Sequence, residues 1–197
     1  MFWQDQAIVV RKNPFSEQQW LVTLLTHNHG LCKGLVTNQG AFSGWILGSQ
    51  TDISWESASD NGLGRLTMDP AYGPVPLFMH IPYALCAVNM MCLLCGSLLP
   101  ERVSMPSIYI AFLKTLSFLP TEKGLRAYND FESHFLEELG YGQSHPWEKK
   151  TLLETLFHRR HVFRQYWPDH QYLDRQRVSF LNDLRNAFQQ TKKERVR

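Results

Sequence analysis

Long uninterrupted hydrophobic runs are missing from these 197 residues. The longest apolar stretch, Ile81 to Leu99, contains Pro82 and is broken by Asn89 and Gly96, whereas a membrane-spanning helix needs about 20 predominantly apolar residues. A buried core helix is expected there instead. Cysteine is scarce as well, with four in all. Cys86, Cys92 and Cys95 fall in that same stretch and read as small buried hydrophobes, while Cys32 stands alone. This is no disulfide framework, which favours a reducing cytosol. The opening Met1-Phe2-Trp3-Gln4-Asp5 has no basic segment before an apolar one, so no signal peptide is expected.

The signatures of common enzyme chemistry are absent too. No GxSxG, Walker A or GxGxxG pattern occurs. Cys92-x-x-Cys95 has metal or redox spacing, but a structural zinc site wants four ligands and no second pair exists. His158 and His161 lie one helical turn apart, yet Arg159 and Arg160 between them would repel a cation. His27 and His29 share a turn with no third ligand nearby, and Glu137 and Glu138 point to different helix faces. Without a substrate-holding constellation, binding is a better class than catalysis, and no cofactor or metal is expected.

What is present is a packable composition with an uneven charge. Hydrophobic residues make up 44% and aromatics 13%, which argues against disorder. The formal net charge is only +2, but residues 149–197 hold 12 of the 20 bases and 5 of the 18 acids. A basic C-terminal quarter on a slightly acidic body points to an anionic partner, or else to a solvated basic helix.

The first 73 residues read as strands. Ala7–Arg11, Trp20–Thr26, Leu31–Thr37, Thr51–Trp55 and Arg65–Met68 are short and β-rich, and Gly, Asn and Asp turns separate them. Five such strands without an intervening helix predict a small barrel, and Gly34 predicts a bulge or bend that lets it close. Tyr72-Gly73-Pro74-Val75-Pro76 ends that pattern. Beyond it the period is helical: Pro82–Gly96, a helix capped by Ser104 with Pro106 in its first turn, Leu125–Leu139 closed by Gly140, one opened by Pro146, and Tyr172–Phe188. The fold class is α+β, a barrel over residues 1–76 followed by a helical domain over 77–197.

Nucleic-acid binding needs cations beside aromatic platforms. The barrel offers Arg11, Lys12, Lys33 and Arg65, with Phe42 and Trp45 as the expected exposed pair in a Gly-flanked loop. Six acids against four bases in residues 1–73 leave it acidic, so strong DNA contact must recruit the C-terminal quarter, where Arg175 and Arg177 are candidates. In that quarter Arg159, Arg160 and Arg164, beside Phe163 and Trp167, predict a cation-rimmed apolar pocket. It would suit an acidic peptide with a hydrophobic end, or a DNA backbone. The alternative is an ordinary amphipathic helix with buried aromatics.

Several stretches resemble one family. Asp5–Arg11, Trp20–Val36 with its His27-Asn28-His29-Gly30-Leu31 turn, Ser54-Trp55 and Leu63–Thr67 look like the opening of RecO. Leu98-Leu99-Pro100-Glu101-Arg102 and Phe131–Gly142 recur in the same order, so the likeness covers about residues 1–142. The resemblance implies an OB-fold barrel and a helical bundle. It further implies a recombination mediator in DNA repair that binds single- and double-stranded DNA, anneals strands and partners RecR. Recognition of the acidic tail of single-strand-binding protein, indirect service to RecA, and a cytoplasmic, nucleoid-associated location away from membranes are also implied. A rival is an adaptor of the same fold with little DNA affinity. The chain departs from the family where many members carry a four-cysteine zinc module: Gln143–Glu148 follows instead, and no cysteine lies beyond Cys95. It also lacks bases after Gly34-Leu35-Val36, reading Thr37-Asn38-Gln39-Gly40.

Overall fold

The structure, a computed structural model, describes residues 1–37, 45–58, 62–141 and 152–194. Five strands, β1 (Phe2–Ser16), β2 (Gln19–Thr26), β3 (Gly30–Thr37), β4 (Gln50–Glu56) and β5 (Gly64–Met68), close into a barrel in the order β1-β2-β3-β5-β4. This is the small barrel expected from the strand spacing, of the OB type that the resemblance implied. β1 runs past Arg11, where the sequence pattern ended it, because two register irregularities, at Val9/Arg11 and Pro14/Ser16, let it curl around the barrel. Bending is therefore carried by β1, and the β2–β3 ladder, including Gly34, runs without a shift.

Gly34 serves closure in another way. It pairs with Gly64 where β3 and β5 run parallel at the closing seam. A Cβ on Gly34 would lie 2.6 Å from the Leu66 side chain, and one on Gly64 1.9 Å from Trp55 Nε1. The two glycines together make the space in which Trp55 and Leu66 fill the barrel, and Trp55 Nε1 donates to the Lys33 carbonyl at 3.2 Å.

The strands β1 and β2 are buried on both faces, which explains their unbroken apolar runs. Ala7, Val9, Val22 and Leu24 point into the barrel, while Ile8, Val10 and Leu25 join Leu31 in a second core shared with the helices. A short 3-10 turn (Val75–Phe78) leads into α1 (Pro82–Leu98), whose Ala84, Val88, Met91, Cys92 and Cys95 are buried against β1, β2 and α5. Burial pushes both Cys92 and Cys95 thiols well above their ordinary pKa, so they are protonated packing groups.

Three helices follow in α2 (Pro106–Phe118), α3 (Gly124–Glu138) and α4 (Leu152–Tyr166), and α5 (Gln171–Glu194) ends the described chain. Pro106 opens α2, but Met105 occupies the cap position without a side-chain bond, so Ser104 does not cap it. Gly140, at φ +82°, terminates α3: its N–H donates to Glu137 and that of Tyr141 to Leu136, at 2.9 and 2.8 Å. Pro146 lies outside the described residues.

Candidate functional site

Two stretches that carried the family resemblance meet in space. Glu101 forms a parallel bridge with Leu31, and the Arg102 N–H donates to the Leu31 carbonyl at 2.9 Å. Gly30 lies so close beneath this strap that a Cβ there would fall 1.9 Å from the Val103 carbonyl oxygen. Lys33 pairs with Glu101, and the Arg102 guanidinium sits 5.4 Å from the centre of the Trp55 ring. Asp5 fixes the adjoining turn. Its carboxylate accepts from the Asn28 backbone at 2.8 Å and the Asn28 amide at 2.9 Å, and it contacts His29 Nδ1 at 2.9 Å. Burial pushes the Asp5 pKa up, but these bonds, His29 foremost, hold it below the usual value. The motif at this corner is thus a clamp between barrel and helices.

The DNA candidates separate into different places. Arg11 and Lys12 line a cleft of 940 Å³ between β1, α1 and α5, together with Trp45, Tyr172 and Gln176. Lys12 Nζ lies 5.0 Å above the half-buried Trp20 ring and donates to the Trp45 carbonyl, while Arg11 donates to Ser97 Oγ. Trp45 is only 6% exposed and packs in the barrel core, which corrects its placement as an exposed platform. Its loop position hid an inward-facing ring. Phe42 lies outside the described residues. Arg65 is exposed on β5, opposite Leu35 of β3, whose neighbour Lys33 is engaged by Glu101. Tyr172, 65% exposed, was missed as a surface aromatic; its local sequence signal is the polar Asp169-His170-Gln171 run before it.

Arg177 is the largest correction. Its side chain is fully buried, and with Arg159, 5% exposed, it holds the buried Glu132 carboxylate. Arg177 Nη2 donates to Glu132 Oε2 at 2.8 Å and to the Leu156 carbonyl at 3.0 Å, Arg159 also reaches the Asn129 carbonyl, and the Tyr128 hydroxyl donates to Glu132 at 2.6 Å. Burial pushes the Glu132 pKa up, but Arg177 and Arg159 bring it below the ordinary value. This network ties α3, α4 and α5 together, and neither arginine is available to phosphate or peptide.

The remaining C-terminal candidates do converge. Arg160, Phe163, Arg164 and Trp167 line a pocket of 630 Å³, with Leu173 and Asp174, and Arg175 joins them. Phe163 is 2% exposed and forms its floor. The pocket's cations are largely spent internally: Arg160 Nε and Nη2 donate to Asp174 at 2.8 and 3.1 Å, and Arg164 Nε to the same carboxylate at 3.1 Å. Hydrogen bonds from Arg160 and then Arg164 hold the Asp174 carboxyl below its usual pKa. No group of three or more His, Cys, Asp or Glu suited to a metal occurs among the described residues. Nor is any described helix long and apolar enough to cross a membrane.

Geometry alone defines an α+β protein in which an OB barrel shares a core with a helical bundle and binding clefts lie at the junctions. Residues 1–70 match the family described as Recombination protein O N terminal, so the chain carries that family's N-terminal domain. It is 30% identical over 148 residues to the DNA repair protein RecO of a Ruegeria species, covering 72% of this chain and 61% of that protein. It is 32% identical over 147 residues to that of Rhodospirillum centenum, covering 72% and 58%. The chain thus spans about three fifths of the length of these curated relatives.

Proposed function

We propose that the chain acts in DNA repair as a non-catalytic mediator: it binds single-stranded DNA, promotes annealing, and works with RecR and the acidic tail of single-strand-binding protein to serve RecA loading. The observation that carries this reading is the closed OB barrel matched to the RecO N-terminal family. Its physical rationale is equilibrium binding. Holding two strands on one protein raises their effective concentration, so annealing requires no nucleotide hydrolysis. The cleft beside Arg11 and Lys12 supplies cations next to the exposed Tyr172 ring, the combination that single strands favour. Titrating a labelled oligonucleotide tests it: affinity falls steeply between about 50 and 200 mM salt if several phosphates are contacted. A salt-independent affinity, or none, refutes the reading.

A second reading, an adaptor that docks protein segments and has little DNA affinity, is favoured by one observation. The barrel region carries more acids than bases, and two of the C-terminal arginines are sealed around Glu132. Double-stranded DNA binding and the division at residue 76 into barrel and helical domain belong to the same proposals.

A further inference from the structure

Four side chains from four separate segments meet at the corner where barrel and helices are clamped. The His29 ring lies flat on Trp3, with centroids 4.1 Å apart and planes 11° from parallel. Trp3 in turn stacks on Trp55 at 5.3 Å and 15°, and the Arg102 guanidinium sits over Trp55. The stack thus joins the β2–β3 turn, β1, β4 and the strap after α1, with a permanent cation on one tryptophan and a titratable ring on the other. Histidine is the ordinary side chain whose charge changes between about pH 5 and 8. The His29 side chain is 39% exposed, so protons reach it, while the Asp5 carboxylate it touches is 2% exposed. When neutral, the ring donates to Asp5 only in the tautomer with hydrogen on Nδ1. When charged, it always donates there and also lays a cation on the Trp3 face.

We propose that His29 is a proton-operated fastening, which tightens the junction between barrel and helices as the pH falls from about 8 to about 6. This holds whether or not the chain binds DNA. The turn that carries His29 runs on into Gly30 and Leu31, which lie under the strap, so anchoring the ring to Asp5 and Trp3 holds that turn against Arg102 and Val103. The surrounding charges favour it. Asp5 is the contact from β1, and β4 contributes the neutral Trp55. From β3, the Cys32 thiol donates to the His29 carbonyl and stays protonated, its pKa pushed up to about 11 by burial, while Lys33 is neutralised by Glu101 of the strap. Arg102 touches Trp55, and His27 of the same turn lies edge-on to Tyr109. A group that gains contacts on protonation stabilises fully at low pH and stops doing so as pH rises. Asp5, held below 3.8 in the fold, does the reverse. The fastening is therefore strongest where His29 is charged and Asp5 ionised, between about pH 4 and 6.

The first test needs no variant. In NMR spectra of the whole chain between about pH 8 and about pH 5.5, the Trp3 and Trp55 indole N–H signals are expected to shift with the same midpoint as the His29 ring protons. A charge-assisted bond is about twice as strong as a neutral one, so deuterium uptake by residues 28–33 and 98–104, corrected for intrinsic rates, should slow at least about threefold on acidification. His29→Gln, which keeps a donor and cannot be charged, should abolish both responses, and His27→Gln should leave them intact. Melting curves establish that each variant is folded. If the indoles follow another group, or uptake in the unaltered chain ignores pH, the proposal is wrong whatever the variants do. It is overturned equally if the responses survive His29→Gln or vanish in His27→Gln.

Discussion

The Arg177 guanidinium on α5 meets the Glu132 carboxylate on α3 with both side chains wholly excluded from solvent. Arg159 of α4 completes the contact, and the Arg177 guanidinium also lies 4.5 Å from the centre of the Phe163 ring. Burying charges is costly, and mutual attraction offsets the cost only when both partners are present. Removing one partner is therefore expected to hurt far more than removing both. Glu132→Gln should lower unfolding free energy by about 3–5 kcal/mol in urea titrations. A Glu132→Leu/Arg177→Met double variant should recover much of that loss, and Arg159 sets how much.

The same carboxylate gives the fold an acid limit. The folded pKa of Glu132 is held below its ordinary 4.5, and that of Asp5 below 3.8. Each stabilises fully above the unfolded value and stops doing so as pH falls through the folded one. Melting temperature should thus be insensitive to these groups near neutrality and drop below about pH 4. In Glu132→Gln the drop should be shallower; an unchanged slope would remove Glu132 from the explanation.

Asp174 offers the opposite case. Its contacts with Arg160 and Arg164 lie near the surface, where exposed ion pairs contribute about 0–1 kcal/mol. Asp174→Asn should shift the urea midpoint little, in contrast to Glu132→Gln.

Gly64 tests the barrel seam. Its Cβ would overlap the Trp55 indole, so Gly64→Ala must push that ring or part β3 from β5. Overpacking of this kind costs about 1–3 kcal/mol. Denaturation and a changed tryptophan emission would report it.

If single strands occupy the cleft beside β1, Tyr172 is the stacking face. Tyr172→Ala should weaken oligonucleotide binding by about 1–3 kcal/mol, and Lys12→Ala should reduce the salt slope. Fluorescence titrations of the two variants, with Arg65→Ala alongside, separate this cleft from the β3–β5 face.

Strand positions and helix positions were legible because turns and periodicity are local. Gly140 announced its role as a helix terminator for that reason. The charged residues were not. Arg159 and Arg160 are adjacent in sequence, yet one points inward to Glu132 and the other outward to Asp174, since neighbours on a helix do not share a face. Nothing local told Arg177 from Arg175: the burial of Arg177 depends on Glu132, 45 residues away.

Because Ile8, Val10 and Leu25 turn their backs on the barrel and face α1, the β-module has an oily flank that only the following helices conceal. A fragment cut after residue 76 would carry that flank naked into water and should clump or stay unfolded. If it does, the boundary at residue 76 separates two lobes that must fold together.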